Sequence, residues 1–239
     1  MSLKQVARVL TRRVRLRVRS GPNAGRLWSL PTRGSFLRGV YEARLSELVA
    51  STLRPGDVFW DVGAHFGWYT LLGSSAVGPQ GRVYAFEPAQ GNLWYLHHHL
   101  AWNRCTNVEV RPVALGGEAG ERAFGGRGTG SGRLGRGSGR VPVQTLDELV
   151  RSGACRAPTY LKIDVQGAEA EVLRGAAETL RAAEDAALLL ATHVQFGATL
   201  HGDCLALLHS LGWRTWDSAE RKLIVATAGR RVLVPPGPR

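Results

Sequence analysis

A Rossmann-like α/β sheet is the fold this sequence predicts: mostly parallel, covered by helices on both faces, closed by an antiparallel strand and preceded by an N-terminal β-hairpin and helix. Three observations carry it. Short runs apolar on both faces recur at 58–62, 81–87, 108–113, 160–165 and 187–193, as strands buried on both sides require. Stretches of helical period separate them. Two of the runs end in a carboxylate followed by a turn, Asp61 and Glu87, and the carboxyl edge of an open α/β sheet is where ligands bind.

The N-terminal elements come first. Leu3, Val6, Val9 and Leu10 share one helical face. Val14, Leu16 and Val18 then alternate with Arg15, Arg17 and Arg19, a period-two strand with a basic face. Gly21-Pro22-Asn23-Ala24-Gly25 is a turn, and 26–30 the return strand. The charge of this hairpin serves either solubility or contact with phosphate or acidic lipid. Residues 1–34 thus form a basic N-terminal segment, 35–230 the main domain and 231–239 a tail, with Pro235-Pro236-Gly237-Pro238 unstructured. Leu37, Tyr41, Leu45, Leu48 and Leu53 predict one helix over 35–53, ended by Arg54-Pro55-Gly56.

Residues 57–70, DVFWDVGAHFGWYT, organise the rest. A buried strand leads to Asp61, then a turn holding Gly63, His65 and Gly67, then a helix from Trp68 that includes Thr70. Gly63 permits a sharp turn and close approach of a ligand to backbone. N–H groups at the helix start favour anionic ligand groups. The dinucleotide fingerprint Gly-x-Gly-x-x-Gly has a glycine where this chain has Asp61. A pyrophosphate therefore loses its closest backbone contact, whereas an ammonium group gains a counter-ion. That substitution selects S-adenosyl-L-methionine over a nicotinamide dinucleotide, with Asp61, Gly63, His65, Gly67 and Thr70 as candidate cofactor contacts. Glu87, one strand further on, either accepts both ribose hydroxyls or stabilises a helix start before Pro88. Ala114, at the exit of the third strand, offers backbone to an adenine edge.

His97, His98 and His99 are neighbours on the next helix and point about 100° apart. They do not converge on an ion, and no metal is assigned. Residues 116–140 interleave glycine with arginine and serine, a composition that cannot bury a core and reads as a loop. It is either an RNA-binding tract or, preferred here, a mobile lid from which Arg127, Arg133 or Arg136 contacts an anionic acceptor. A short strand at 141–143 and a helix at 146–149 follow.

Residues 160–169, YLKIDVQGAE, form the second chemically loaded stretch. Lys162 and Asp164 share a strand face, with Asp164 at the carboxyl edge and Glu169 opening the next helix. A half-buried lysine needs a partner; Asp164 and Glu169 are the candidates, in an ion pair that is either catalytic or purely structural. His193, at the tip of the fifth strand, is either a general base or a structural histidine. Asp164, His193 and Lys162 make up the candidate catalytic set. A helix over 205–211 and an antiparallel pair over 213–216 and 223–227 close the fold.

Composition narrows the class. Of 239 residues, 44% are hydrophobic and 21% charged, which excludes wholesale disorder. No apolar run reaches the roughly eighteen residues of a membrane span. Three scattered cysteines without metal spacing, and no recognisable leader, imply a reducing cytoplasm. The net charge of +12 is concentrated: residues 1–41 carry ten basic side chains and no acid. Segment 116–140 adds five arginines against two glutamates, leaving the remainder near neutral.

Taken together, the order of elements and the motifs resemble the FkbM-type S-adenosylmethionine-dependent methyltransferases, a class I methyltransferase fold, over about residues 30–227. The resemblance rests on Gly39-Val40-Tyr41-Glu42, on 55–70, on Glu87-Pro88 followed by Asn92, on Val143-Gln144-Thr145-Leu146-Asp147, and above all on 161–169. It implies that Asp61, Gly63 and Gly67 hold the methionine part of the cofactor, Glu87 the ribose, and Asp164 a place near the methyl group. The family usually has Glu where this chain has Gln166, and an acid near the end of the fifth strand, where this chain has Ala191-Thr192-His193. The implied activity is O-methylation of a hydroxyl on a small molecule, sugar or natural product. Two rivals stand beside it. One is an RNA methyltransferase or RNA-binding protein using the basic N-terminus and Gly/Arg segment, although neither an Asn/Asp-Pro-Pro-aromatic motif nor a Pro-Cys nucleophile is present. The other is a catalytically inactive binding module of the same fold.

Overall fold

The computed structural model describes residues 11–30, 32, 34–126, 132–218 and 223–231. The helix expected at 3–10, Arg127 and the proline-rich tail at 235–238 lie outside the described residues. Seven strands form the central sheet. They are β3 (Val58–Val62), β4 (Arg82–Phe86), β5 (Val108–Arg111), β10 (Tyr160–Ile163), β11 (Asp185–Ala191), β12 (Arg214–Ser218) and β13 (Leu223–Gly229), in the order β12-β13-β11-β10-β3-β4-β5. The pairs from β11 to β5 are parallel, and β13 is antiparallel to both β11 and β12. This is the Rossmann-like sheet with an antiparallel closing pair that the apolar runs predict.

All five residues of β3 are buried, because helices cover both faces. Trp60 and Val62 face one hydrophobic cluster with Phe86, Ile163 and Leu190. Phe59 faces the other, with Val83, Tyr160 and Leu189. Helices α3 (Trp68–Val77) and α4 (Gln90–Trp102) pack on the second face. On the first lie α5 (Leu146–Arg151), α6 (Glu169–Arg174), α7 (Ala177–Arg181) and α8 (Leu200–Ser210).

The hairpin pairs β1 (Arg15–Arg17) with β2 (Leu27–Ser29), Leu16 opposite Trp28. Trp28 is wholly buried in the second cluster. The hairpin's basic residues are partly spent on rings of α4: the Arg12 guanidinium lies 4.4 Å from Trp94 and that of Arg15 5.9 Å from Trp102. His99 is buried against Trp28, donating from Nδ1 to Phe66 O and accepting the Ser29 N–H, and burial pushes its pKa down to about 3.

Two expectations are corrected. The single helix over 35–53 is two, α1 (Gly34–Arg38) and α2 (Ala43–Thr52). Gly39 breaks it, at φ +78°, where the chain presses on the hairpin so closely that a Cβ would sit 1.9 Å from Ser20 O. The glycine- and arginine-rich segment is not all loop. Strands β6 (Ala114–Leu115), β7 (Gly120–Gly125), β8 (Arg133–Leu134) and β9 (Gly139–Gln144) make a four-stranded sheet in the order β6-β9-β7-β8. Its small core of Ala114, Val141 and Val143, with Phe124 and Leu134 packed against it, supplies the apolar surface that average composition concealed. Beyond β13, Arg231 folds back into the body and makes a two-pronged ion pair with Asp57 (3.0 and 2.7 Å). Among the described residues no helix is long and apolar enough to cross a membrane.

Candidate active site

Strand order reverses between β3 and β10, and the crevice at the carboxyl ends of the strands opens there. A cavity of about 530 Å³ occupies it, within the range of a small-molecule site. Of the residues singled out from sequence, Gly63, His65, Glu87 and Ala114 line this cavity, and so do Lys162, Asp164 and His193. Asp61, Gly67 and Thr70 are not on its wall.

Asp61 is completely buried. Its Oδ2 accepts from Thr70 Oγ1 at 2.7 Å and its Oδ1 lies 3.3 Å from Lys162 Nζ. Parallel pairing sets Lys162 beside Asp61 on the neighbouring strand, so their side chains project to one face. Lys162 therefore pairs with Asp61, and at 3.9 Å with Asp164, not with Glu169. Burial lowers the lysine's pKa, but Asp61 and Asp164 outweigh it and hold the pKa above the ordinary lysine value.

Gly63 has φ +83°, and a Cβ there would stand 2.0 Å from the Asp164 carbonyl oxygen. The glycine is required by this contact between the two loops. Gly63→Ala is expected to cost about 2–3 kcal/mol, measured as a lowered urea midpoint. Gly78→Ala, with φ +65° but nothing within 4 Å, serves as the control that carries the backbone penalty alone.

Glu87 is held by three donors. The His65 N–H binds Oε2 (2.8 Å), while the Ala89 N–H (2.8 Å) and Asn92 Nδ2 (3.1 Å) bind Oε1. A carboxylate has about four lone-pair positions, so room remains for one further donor from the cavity. Burial raises the pKa of Glu87, against the lowering effect of these bonds.

At the other lip, His193 Nδ1 lies 2.6 Å from Oε1 of the fully buried Glu169. Its Nε2 is 3.5 Å from Asp164 Oδ1 and within hydrogen-bond distance of the Gln166 side-chain amide. Burial draws the histidine's pKa down, yet Glu169 and Asp164 outweigh it and raise the pKa above the ordinary value. Glu169, which sequence alone offers to Lys162, thus orients His193 instead. Phe196 follows in a 3-10 turn (Val194–Phe196), its ring nearly parallel to that of His193 at 6.2 Å. On Phe196 the Arg133 guanidinium stacks at 3.5 Å, and Arg133 Nε donates to Gln166 O. Arg122 and Arg140 of the same small sheet pair with Glu171 and Glu121. Arg133 has no carboxylate within 4.0 Å among the described residues. Of Arg133 and Arg136, the two described arginines expected at the acceptor, Arg133 is the one whose side chain bonds Gln166.

A family model described as the methyltransferase FkbM domain matches residues 61–215, which contain the carboxyl end of β3 and both lips of the cavity. The chain belongs to the FkbM methyltransferase family. Hexuronic acid methyltransferase AglP of Haloferax volcanii is 30% identical to the FkbM chain over 149 residues, covering 61% of this chain and 59% of AglP. The chain thus spans about three fifths of the length of this curated relative. The FkbM methyltransferase from Methylobacillus flagellatus KT shares the fold with TM-score 0.55 at 16% identity, over 76% of this chain and 50% of that one. The precorrin-6y C5,15-methyltransferase from Geobacter metallireducens GS-15 does so with TM-score 0.51 at 15% identity, over 78% and 88%.

Proposed function

We propose that this FkbM chain transfers a methyl group from S-adenosyl-L-methionine to a hydroxyl of a small-molecule or saccharide acceptor that carries an anionic group. The observation that carries the reading is the single cavity wall shared by a nucleoside-suited lip (Gly63, His65, Glu87, Ala114) and a proton-handling lip (Asp164, His193). The residues fit the cofactor: Glu87 keeps acceptor capacity for one ribose hydroxyl, and Ala114 lines the same cavity, where its backbone would meet the adenine edge. When bound, the cofactor supplies an electrophilic methyl group on a sulfonium sulfur.

The chain's own residues do the rest. Glu169 fixes the Nδ1–H tautomer of His193, which leaves Nε2 as the proton acceptor. His193 takes the hydroxyl proton as general base. Asp164, 3.5 Å away, stabilises the imidazolium that results. Lys162 lies within ion-pair distance of both Asp61 and Asp164 and balances their charge. Arg133 uses one of its five N–H donors on Gln166 O, and the remaining fork suits a carboxylate. The name of AglP, a hexuronic acid methyltransferase, supports an acidic sugar as the acceptor.

Titration calorimetry with S-adenosylhomocysteine tests the cofactor, and absence of binding sinks the reading. Methyl transfer to a glucuronate-capped oligosaccharide, compared with its neutral glucose counterpart, tests the acceptor. Arg133→Gln is expected to raise the acceptor KM about 10–100-fold and to leave S-adenosylhomocysteine affinity unchanged.

A further inference from the structure

Asp61 does not reach the cavity, and its charge is already matched by Lys162. A zwitterionic ligand tail entering here still needs a carboxylate for its ammonium group. Among the described residues three carboxylates line the cavity: Glu42, Glu87 and Asp164. Glu87 is held by three donors and its one remaining acceptor position is taken by the ribose in the reading above, and Asp164 faces Lys162 and His193. Glu42 differs. It is exposed, and its side-chain hydrogen-bond partner among the described residues is the neutral phenol of Tyr69, which donates to Oε2 at 2.7 Å. No basic side chain lies within 4.0 Å of it among the described residues.

Its backbone explains why that carboxylate is presented to the cavity. Glu42 is the N-cap of α2 at φ 42° and ψ 48°, in the left-handed region, and its side chain makes no capping bond to its own helix. An acid at this position ordinarily folds back onto the first-turn N–H groups. Here the unusual backbone directs it across to the first turn of α3 instead, where Tyr69 holds it. Trp68 Nε1 donates to Ser46 Oγ at 2.9 Å and clamps α2 against the same turn. The carboxylate is thereby tethered by the Tyr69 phenol, a side chain from the first turn of α3.

We infer that Glu42, not Asp61, is the counter-ion for the ammonium group of an α-amino-acid tail on the nucleoside ligand. The inference rests on the cofactor reading above and deepens it. It also gives a role to Tyr41-Glu42, a motif that the catalytic lip does not use.

The test compares two probes by titration calorimetry: S-adenosylhomocysteine, which carries the tail, and 5′-methylthioadenosine, which lacks it. Glu42→Gln is expected to weaken S-adenosylhomocysteine about 10–100-fold, the worth of a charge-assisted hydrogen bond, and to leave 5′-methylthioadenosine unchanged. Retained binding of the shorter probe also certifies the fold of the variant. Should Glu42→Gln fail to fold, Tyr69→Phe keeps the question open to experiment. It frees the carboxylate from its tether and is expected to give a smaller loss, again confined to the longer probe. Equal weakening of both probes, or of neither, overturns the assignment. Wild-type protein that binds neither probe overturns the cofactor reading, and this assignment with it, and that result is distinguishable from every other.

Discussion

His193→Ala is expected to lower kcat by about 10²–10⁴-fold, the usual contribution of a positioned general base, equivalent to roughly 3–5 kcal/mol of barrier. S-adenosylhomocysteine affinity should not change, because in the proposed mechanism the imidazole meets the acceptor's proton and not the nucleoside. The pH profile gives a second readout. Glu169 and Asp164 raise the histidine's pKa above its ordinary value of about 6.5, so kcat should climb as pH rises through that elevated pKa and Nε2 becomes free to accept. Glu169→Gln removes the anionic partner, and its inflection should move to lower pH. The same ionisation has a stability counterpart of opposite sense. The stabilisation from protonated His193 beside Glu169 is complete below the unfolded pKa and fades as pH rises through the folded one. Undiminished turnover in His193→Ala would leave Asp164 as the base, and Asp164→Asn would then be the variant that abolishes it.

Arg231→Met is expected to destabilise the protein by about 3–5 kcal/mol, because it strands Asp57 as a buried charge. Both partners are almost inaccessible to solvent. Asp57 also accepts from Thr159 Oγ1 and from the Arg54 N–H, and Arg231 donates to Thr52 O. Arg231 and Asp57 together thus tie the C-terminus of α2, the entry to β3 and, through Thr159, the entry to β10. For a chain of this size the change corresponds to a fall in Tm of roughly 6–20 °C. Asp57→Asn should cost less than Arg231→Met, and the double variant less than the sum. Burial by itself would raise the pKa of Asp57, but hydrogen bonds from Arg231, Thr159 and Arg54 lower it overall. The stabilisation is therefore complete above the unfolded carboxyl value of about 3.9 and is lost as pH falls through the lower folded value. Arg231→Met should lack this acid-limb slope in a urea series across pH.

The central sheet was legible because burial on both faces leaves an unmistakable record: 58–62, 82–86 and 185–191 have little choice of structure. Glu87, His193 and Asp164 were found because each stands just beyond such a run. What escaped depends on who meets whom across the sheet. Asp61 reads as a ligand contact until Lys162 is seen beside it on the neighbouring strand. Glu169 reads as a partner for Lys162 until the turn after β11 carries His193 to it. Gly39 reads as mid-helix because its break answers to Ser20, distant in sequence. The small sheet at 114–144 was hidden by its glycines, since period-two order in Arg122-Ala123-Phe124 is diluted by residues that carry no side chain to count. Arg133 over Phe196 left no local signal at all.

The contact of Gly63 with the Asp164 carbonyl has a mechanical meaning. Methyl transfer tolerates little error in the line joining donor and acceptor atoms. Here the turn that would seat the donor and the segment that would seat the acceptor rest backbone to backbone, with no side chain between them to flex. Neither can drift without carrying the other, so the distance across the reacting gap is inherited from the spacing of two adjacent strands.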